Sequence, residues 1–190
     1  MRVIGGSARG RQLASFGGRD IRPTPDRVRE ALFSIILSRR GSLAGAKVLD
    51  LFAGSGALGI ETLSRGGAHA WFVDNSRQSM TVIQENLVRC RLPGQATMIM
   101  RDIWAALPVA AGSGPFDVIF ADPPYGGELV TRLLEESGRL ALLAPNGLLC
   151  LETAASDRVP LQVGPLRLQD QRRYGLTMLH FYQLAHEDQA

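Results

Sequence analysis

The chain has 190 residues, of which 45% are hydrophobic and 21% charged, and its formal net charge at pH 7 is +3. This size and composition suit one globular domain with a small appendage. No apolar run reaches the roughly 18–20 residues of a membrane span. The first residues lack the apolar core of a signal peptide, so we expect a cytoplasmic protein with no membrane partner.

The basic charge is concentrated near the N-terminus. Residues 1–46 hold nine arginines and three acidic residues, whereas residues 47–190 hold twelve basic and fifteen acidic ones. Such asymmetry indicates either a polyanion partner or a solvated arginine-rich surface. We therefore predict a basic N-terminal extension over 1–46 and a main domain over 47–190.

The first predicted elements belong to this extension. Residues 1–15 predict a short hairpin, and residues 16–23 a loop rich in glycine and arginine. A helix follows, with Thr24 as its cap, Pro25 at its first position and an end near Arg40. Its apolar residues recur at helical spacing, and we place both Arg27 and Arg29 off that apolar face.

From residue 47 onward, short apolar runs alternate with longer helical patterns. The predicted strands cover 48–52, 70–73, 97–100, 116–121 and 147–151, and the predicted helices cover 57–65, 76–90 and 127–143. Residues 166–173 and 177–184 predict a closing antiparallel hairpin. This alternation predicts an α/β fold, a mostly parallel sheet with helices on both faces.

Four aspartates stand within or just past the ends of the first four predicted strands: Asp50, Asp74, Asp102 and Asp122. Open α/β sheets bind their ligands outside the carboxyl ends of the strands. Each aspartate alone is as consistent with a turn as with a binding site. Together they predict one acidic crevice.

A glycine-rich loop, GSGALG at 54–59, follows the first strand and opens a helix, and Asp74 lies twenty residues after Gly54. This spacing is typical of a nucleotide-binding turn and by itself also describes a nicotinamide dinucleotide site. A carboxylate at Asp50 would repel a pyrophosphate bound to this loop. With Asp122 it favours a cationic ligand, S-adenosyl-L-methionine, which carries an ammonium and a sulfonium.

The stretch Asp122-Pro123-Pro124-Tyr125 follows the fourth predicted strand. An exocyclic base amine is a poor nucleophile, and two acceptors aimed at its N–H groups can hold it and accept developing positive charge. Asp122 offers a carboxylate oxygen and Pro123 a backbone carbonyl. Tyr125 offers a flat face on which a base can stack. The stretch predicts methyl transfer to a planar amine.

These residues resemble a known family. The loop DLFAGSGALG at 50–59 and DPPY at 122–125 resemble the amino-methyltransferases of the class I fold. Three further stretches, GGSARGR at 5–11, RPTPDRVREALF at 22–33 and RYG at 173–175, are similar to signatures of the bacterial 16S rRNA guanine-N2 methyltransferases. This resemblance covers nearly the whole chain, and the N-terminal motifs are its family-specific part.

The resemblance implies a Rossmann-like sheet of seven strands with an antiparallel last strand and a small N-terminal hairpin-plus-helix extension. It implies a monomeric enzyme that moves a methyl group from S-adenosyl-L-methionine to the N2 amine of a guanine in 16S rRNA of the small ribosomal subunit. The catalytic residues it implies are Asp122, Pro123 and Tyr125. The implied cofactor contacts are Asp50, Phe52, Ala53, Gly54, Gly56, Asp74, Asn75, Asp102 and Ile103.

Two of these contacts depart from the family pattern or are weakly fixed by it. The family often has glutamate where this chain has Asp74, and the end of the third strand, where Asp102 stands, varies. Asp102 could reach the adenine amine or simply pair with Arg101. For phosphate contacts with RNA the planar guanidinium suits best, and our candidates are Arg9, Arg11, Arg22, Arg27 and Arg29.

Three alternatives stay open. A DNA or RNA adenine-N6 methyltransferase would use the same DPPY stretch, although the chain has little room for a DNA target-recognition region. The glycine loop alone also suits a nicotinamide-dependent oxidoreductase. A non-catalytic RNA-binding assembly factor would have no need of Asp122. Cys90 and Cys150 are expected to be free thiols, and neither they nor the histidines have the spacing of a metal site.

Overall fold

The structure is a computed structural model that describes residues 1–15, 26–124 and 127–185. The predicted alternation of strands and helices is present. The helices are α1 (Asp26–Arg40), α2 (Ala57–Ser64), α3 (Arg77–Cys90), α4 (Ile103–Ala111) and α5 (Glu128–Arg139). The strands are β1 (Lys47–Leu51), β2 (His69–Asp74), β3 (Ala96–Met100), β4 (Phe116–Ala121), β5 (Leu143–Ala154), β6 (Gln162–Val163), β7 (Leu166–Tyr174) and β8 (Thr177–Leu184).

The described strands form one sheet in the order β3-β2-β1-β4-β5-β8-β7-β6. Strands β1 to β5 pair in parallel, and β8 pairs antiparallel with both β5 and β7. The seven predicted strands and the antiparallel last strand are confirmed, and the two-residue β6 adds an eighth. The strand order reverses between β1 and β4, and a crevice opens at such a point beyond the carboxyl ends of the strands.

Alternate residues of the central strands enter two separate hydrophobic cores. Val48 and Phe120 pack with α1, α2 and α3 on one face, whereas Leu49 and Ile119 pack with α4 and α5 on the other. Burial on both faces explains why these strands appear in the sequence as nearly continuous apolar runs.

The N-terminal extension shares the first of these cores. Val3, Leu13 and Phe33 are buried in the same cluster as the β1 residue Val48. The described residues of the extension therefore share a hydrophobic core with the main domain. In the predicted hairpin, Arg2 and Gln12 form an isolated antiparallel bridge, and the predicted helix cap Thr24 lies outside the described residues.

Three elements differ from the predictions. Helix α4 lies between β3 and β4, where no element was predicted, and it contains Pro108. Strand β5 begins at Leu143 instead of 147, because a register shift lets Leu143 pair with Phe116 and Leu148 with Val118. Helix α5 ends at Arg139, four residues before the predicted end. Within the described ranges, no helix is both long and apolar enough to cross a membrane.

Candidate functional site

The loop after β1 turns sharply out of the sheet. Phe52, Gly54 and Gly56 all have left-handed backbone conformations, with φ of 57°, 53° and 74°. Glycine adopts this conformation freely, whereas for Phe52 it is an uncommon and strained one. Strain of this kind tends to occur at ligand-binding loops. The Ala53 N–H donates to the carbonyl of Val73 at 3.0 Å and ties the loop to β2.

The loop is also held by Asp74 at the end of β2. One carboxylate oxygen of Asp74 accepts the N–H of Gly54 at 2.9 Å, and the other accepts the N–H of Ser76 at 2.9 Å. The predicted pairing of the glycine loop with an acid twenty residues later is thus present as a direct hydrogen bond. Each carboxylate oxygen has two lone pairs, so Asp74 can still accept hydrogen bonds from a ligand.

Asp50 lies behind the loop, not in the open crevice. It is 3% exposed, and its Oδ2 accepts the N–H of Gly59 at 2.9 Å. Burial raises the pKa of Asp50 to about 8; the Gly59 N–H opposes this rise, and the carboxylates of Asp122 and Asp74 add to it. The protonated form of Asp50 is therefore favoured at pH 7. The expectation that Asp50 lines the open crevice is wrong, because the loop covers it, and desolvation there favours its neutral form.

Helix α2 packs directly against β2 at Gly59. A Cβ added there would lie 2.3 Å from Cε1 of Phe72 and 3.2 Å from Oδ2 of Asp50. Only glycine therefore lets the start of this helix approach the sheet closely enough for the hydrogen bond to Asp50. This is the packing role of the last glycine in a nucleotide-binding loop.

A cavity of about 420 Å³ opens beyond the ends of β2, β3 and β4. Its volume is in the range of small-molecule sites. The predicted cofactor residues Phe52, Asp74, Asn75, Asp102 and Ile103 all line it, and the rest of its lining consists of Val73, Arg101, Trp104, Pro124 and Leu129.

The chemical character of this cavity suits a nucleoside. Phe52, Val73 and Ile103 supply apolar walls for a flat ring, and the carboxylates of Asp74 and Asp102 supply acceptors for hydroxyl and amine groups. Of the other predicted contacts, Ala53, Gly54 and Gly56 belong to the loop, and Asp50 lies beneath it.

The far side of the cavity is formed by the start of α4. Asp102 caps this helix, because its Oδ1 accepts the N–H of Trp104 at 2.9 Å. The guanidinium of Arg132 on α5 stacks on Trp104, with 3.9 Å between the guanidinium carbon and the ring centroid. Trp104 and Arg132 were not predicted. The Asp102 cap followed by an apolar run was the available signal for α4, and Pro108 obscured it.

The stretch 122–124 leaves the carboxyl end of β4. Asp122 is exposed, Pro123 is buried, and Pro124 is exposed and lines the cavity. Although the residue is accessible to solvent, protein surrounds its carboxyl, and this burial raises the pKa of Asp122 to about 6. Asp122 is thus mostly ionised at pH 7 and can accept a hydrogen bond. Tyr125 lies outside the described residues.

The candidate RNA contacts separate into different environments. Arg9 and Arg27 are exposed, and Arg11 is half-buried with its Nη1 donating to the carbonyl of Arg89. Arg29 is 1% exposed, and its Nη2 donates to Asp26 at 2.8 Å and to a backbone carbonyl at 2.6 Å.

The placement of Arg29 off the buried face of α1 is therefore wrong. It precedes Leu32, Phe33 and Ile36 by three, four and seven residues, so it shares their buried face. In this conformation Arg29 cannot present its guanidinium to RNA. Arg22 lies outside the described residues.

No group of three or more metal-ligating side chains was found in the described parts of the chain. Cys90 and Cys150 are buried free thiols.

Comparison with known proteins gives consistent matches along the chain. The family described as Conserved hypothetical protein 95 matches residues 1–183. The chain is 38% identical to the Bacillus subtilis (strain 168) protein YlbH over 183 residues, covering 96% of this chain and 98% of that protein. It is 33% identical to ribosomal RNA small subunit methyltransferase D of Escherichia coli (strain K12) over 186 residues, covering 96% of this chain and 89% of the relative.

Solved structures agree with these sequence matches. The structure of the Escherichia coli methyltransferase yhhF superposes with a TM-score of 0.82 at 32% sequence identity, covering 98% of this chain and 99% of the other. The fold described above is therefore the Rossmann-like fold of class I methyltransferases.

Proposed function

The chain belongs to the Conserved hypothetical protein 95 family, and from this membership we propose that it methylates the N2 amine of a guanine in 16S rRNA. The methyl donor in this proposal is S-adenosyl-L-methionine. The substrate class is suggested by the relative named ribosomal RNA small subunit methyltransferase D, which aligns with 96% of this chain. The proposed partner is 16S rRNA within the small ribosomal subunit, bound by a monomer.

The single observation that carries the proposal is that the cavity and Asp122 lie at the same edge of the sheet. A nucleoside-sized cavity ends at Pro124, and Asp122 lies two residues before it at the end of β4. A base amine held by Asp122 would therefore lie next to whatever occupies the cavity. Proximity of this kind accounts for much of the rate in transfers from an already activated donor.

Several residues would hold the cofactor. Asp74 would accept hydrogen bonds from ribose hydroxyls with the lone pairs not used by Gly54 and Ser76. Ile103 and Phe52 would flank the adenine, and Asp102 would accept from its amine. S-adenosyl-L-methionine supplies a sulfonium-activated methyl group.

The substrate amine would be held by the DPPY stretch. The ionised carboxylate of Asp122 would accept one N–H of the amine and stabilise the positive charge that develops on nitrogen. The Pro123 carbonyl would accept the other N–H, and the proline ring restricts the backbone there. Tyr125 is proposed to stack on the base. No metal is needed for these roles.

Exposed arginines support the choice of RNA as the substrate. Arg9 and Arg27 lie at the surface of the N-terminal extension, and no acidic partner is found for either among the described side chains. Guanidinium groups of this kind are suited to phosphate. We therefore propose that this extension contacts the RNA backbone, while the crevice takes the target base.

The experiment supplies isotopically labelled S-adenosyl-L-methionine with three substrates in parallel: small ribosomal subunits, naked 16S rRNA and duplex DNA. We expect the label in rRNA, in a nucleoside that co-elutes with N2-methylguanosine after digestion. Label confined to DNA, or label that elutes as N6-methyladenosine, would contradict the proposal in favour of the adenine-N6 alternative. A chain that binds rRNA but transfers no label to any substrate would instead support the non-catalytic assembly factor.

A further inference from the structure

A fully buried asparagine joins the N-terminal extension to the glycine loop. Asn86 on α3 is 0% exposed. Its Oδ1 accepts the N–H of Ala14 at 2.6 Å, and its Nδ2 donates to the carbonyl of Ala14 at 3.0 Å. The same Nδ2 donates to the carbonyl of Ser55 at 3.0 Å. Each hydrogen of the carboxamide NH₂ group therefore has its own acceptor, the carbonyl of Ala14 for one and the carbonyl of Ser55 for the other.

The two partners belong to different functional segments. Ser55 lies between Gly54 and Gly56, in the loop proposed to hold the cofactor. Ala14 is the second-last residue of the first described segment and lies two residues before the arginine-containing stretch 16–25. Because Asn86 bonds only backbone atoms of both partners, it fixes the path of each chain segment and does not depend on their side chains.

Further anchors of the extension end on α2. The buried carboxylate of Glu61 accepts the N–H groups of Ile4 and Gly5 at 2.7 and 2.8 Å. Ser64 accepts the N–H of Ala8 at 2.9 Å. These contacts hold the start of the extension against the helix, whereas the Asn86 carboxamide reaches the loop itself.

We propose that Asn86 is a positioning residue that couples occupation of the glycine loop to the order of residues 10–15. A ligand on the loop restricts Ser55, and the shared carboxamide passes this restriction to Ala14. Restriction at one site lowers the entropic cost of ordering the other. Residues 10–15 are then held in one path when the donor is bound. This inference rests on the proposed cofactor but not on the proposed RNA.

Hydrogen–deuterium exchange on the full chain tests the coupling with S-adenosylhomocysteine as the probe. In the native chain, saturating probe should slow exchange of the Leu13 and Ala14 amides by roughly fivefold or more. In Asn86→Ala the probe should no longer slow exchange at these amides. If Asn86 contributed only to stability, Asn86→Ala would raise the exchange rates by the same factor with and without the probe. The measurement is therefore the ratio of the exchange rates without and with the probe.

Two further variants sharpen the result. Ala14→Pro removes the N–H that donates to Asn86 and leaves the Nδ2 bonds to the carbonyls of Ala14 and Ser55, so it should reduce the probe-dependent protection at Leu13 while keeping probe affinity. Glu61→Gln is the matched control, because it weakens a different anchor of the extension without touching the loop. It should raise exchange at Ile4 and Gly5 and keep the probe-dependent ratio at Leu13.

The outcomes separate the coupling from the proposed cofactor. Calorimetry that shows no binding of S-adenosylhomocysteine contradicts the cofactor and, with it, the coupling. Binding without added protection of residues 10–15 in the native chain contradicts the coupling alone. Protection that persists in both Asn86→Ala and Ala14→Pro would also overturn it.

Discussion

The carboxyl of Asp50 accepts the backbone N–H of Gly59 at 2.9 Å from a position that is 3% exposed. The first strand and the helix after the glycine loop are therefore joined through a buried acid whose pKa is raised by desolvation. A buried acid disfavours its ionised form, and such groups are characteristic of functional sites. This pair makes stability and packing dependent on the same few atoms.

Asp50→Asn should increase stability and flatten its pH dependence. With its pKa raised to about 8, Asp50 holds a proton in the folded chain between about pH 4 and 8 that the unfolded chain has lost. The unfolded state binds fewer protons there, so wild-type stability falls as pH rises through this window. We expect urea denaturation to find the variant more stable at pH 8, with the difference shrinking towards pH 4 by up to about 1.4 kcal/mol per pH unit. A difference independent of pH would contradict the buried, protonated state.

Gly59→Ala should destabilise the chain by about 1–3 kcal/mol, the usual range for overpacking a filled interior. The added methyl would meet Phe72 at 2.3 Å, so α2 must move away from β2 and from Asp50. Thermal denaturation measures this loss. Gly94→Ala is the control, because a Cβ at that position meets nothing within 4 Å. If the two variants have equal stability, the close approach of α2 is not required.

Methyl transfer should depend on the ionised form of Asp122. Its pKa is raised to about 6 by burial, so the carboxylate is present above that pH and lost below it. We expect single-turnover rates to fall about tenfold per pH unit below pH 6 and to level off above pH 7. A rate that stays constant down to pH 5 would show that this carboxylate does not act in the transfer.

Asp122→Asn should lower the transfer rate by on the order of 10²–10⁴-fold and remove the step near pH 6. Asparagine keeps the size of the side chain but not the charge that stabilises the developing cation. Binding of S-adenosylhomocysteine, measured by calorimetry, should change much less, since Asp122 is not among the residues that line the proposed cofactor cavity. A variant with nearly full transfer activity would rule out this role.

Arg27 and Arg29 should give opposite results although they are two residues apart. Arg27→Gln removes an exposed cation, so RNA affinity should fall and the salt dependence of log K should become shallower by about 1, with stability unchanged. Arg29→Gln removes a buried hydrogen-bonded guanidinium, so it should lower stability by roughly 1–3 kcal/mol. Filter binding over a salt series and denaturation separate the two. Equal effects of both variants on the salt slope would contradict the burial of Arg29.

Much of the sheet could be predicted because its strands are buried on both faces. The predicted strand over 116–121 coincides with β4, and the closing hairpin matches β7 and β8 to within one residue. Helix α4 could not be predicted in the same way. Pro108 normally breaks a helix, and the local pattern does not show that packing of Leu107 and Ala110 in the second core compensates for it.

The residues of the site could be predicted from the sequence, but the protonation of its acids and the burial of its charged side chains could not. Phe52, Asp74 and Ile103 line the cavity as expected, since strand ends meet at one edge of the sheet. The protonation of Asp50 depends on how deeply the loop covers it, and this depth is set by tertiary packing. The burial of Arg29 could not be predicted for a similar reason. The buried face of α1 was assigned from its apolar residues alone, and such an assignment leaves out a buried cation.

The anchors of the first fifteen residues come late in the chain. Glu61, Ser64 and Asn86 lie 56 to 72 residues after the amides that they bind. Synthesis proceeds from the N-terminus, and contacts of such separation form slowly. When the extension leaves the ribosome, its docking surfaces have therefore not yet been made. The extension proposed to contact RNA can reach its final position only after α3 has left the ribosome. A partly synthesised chain therefore cannot hold the extension in that position.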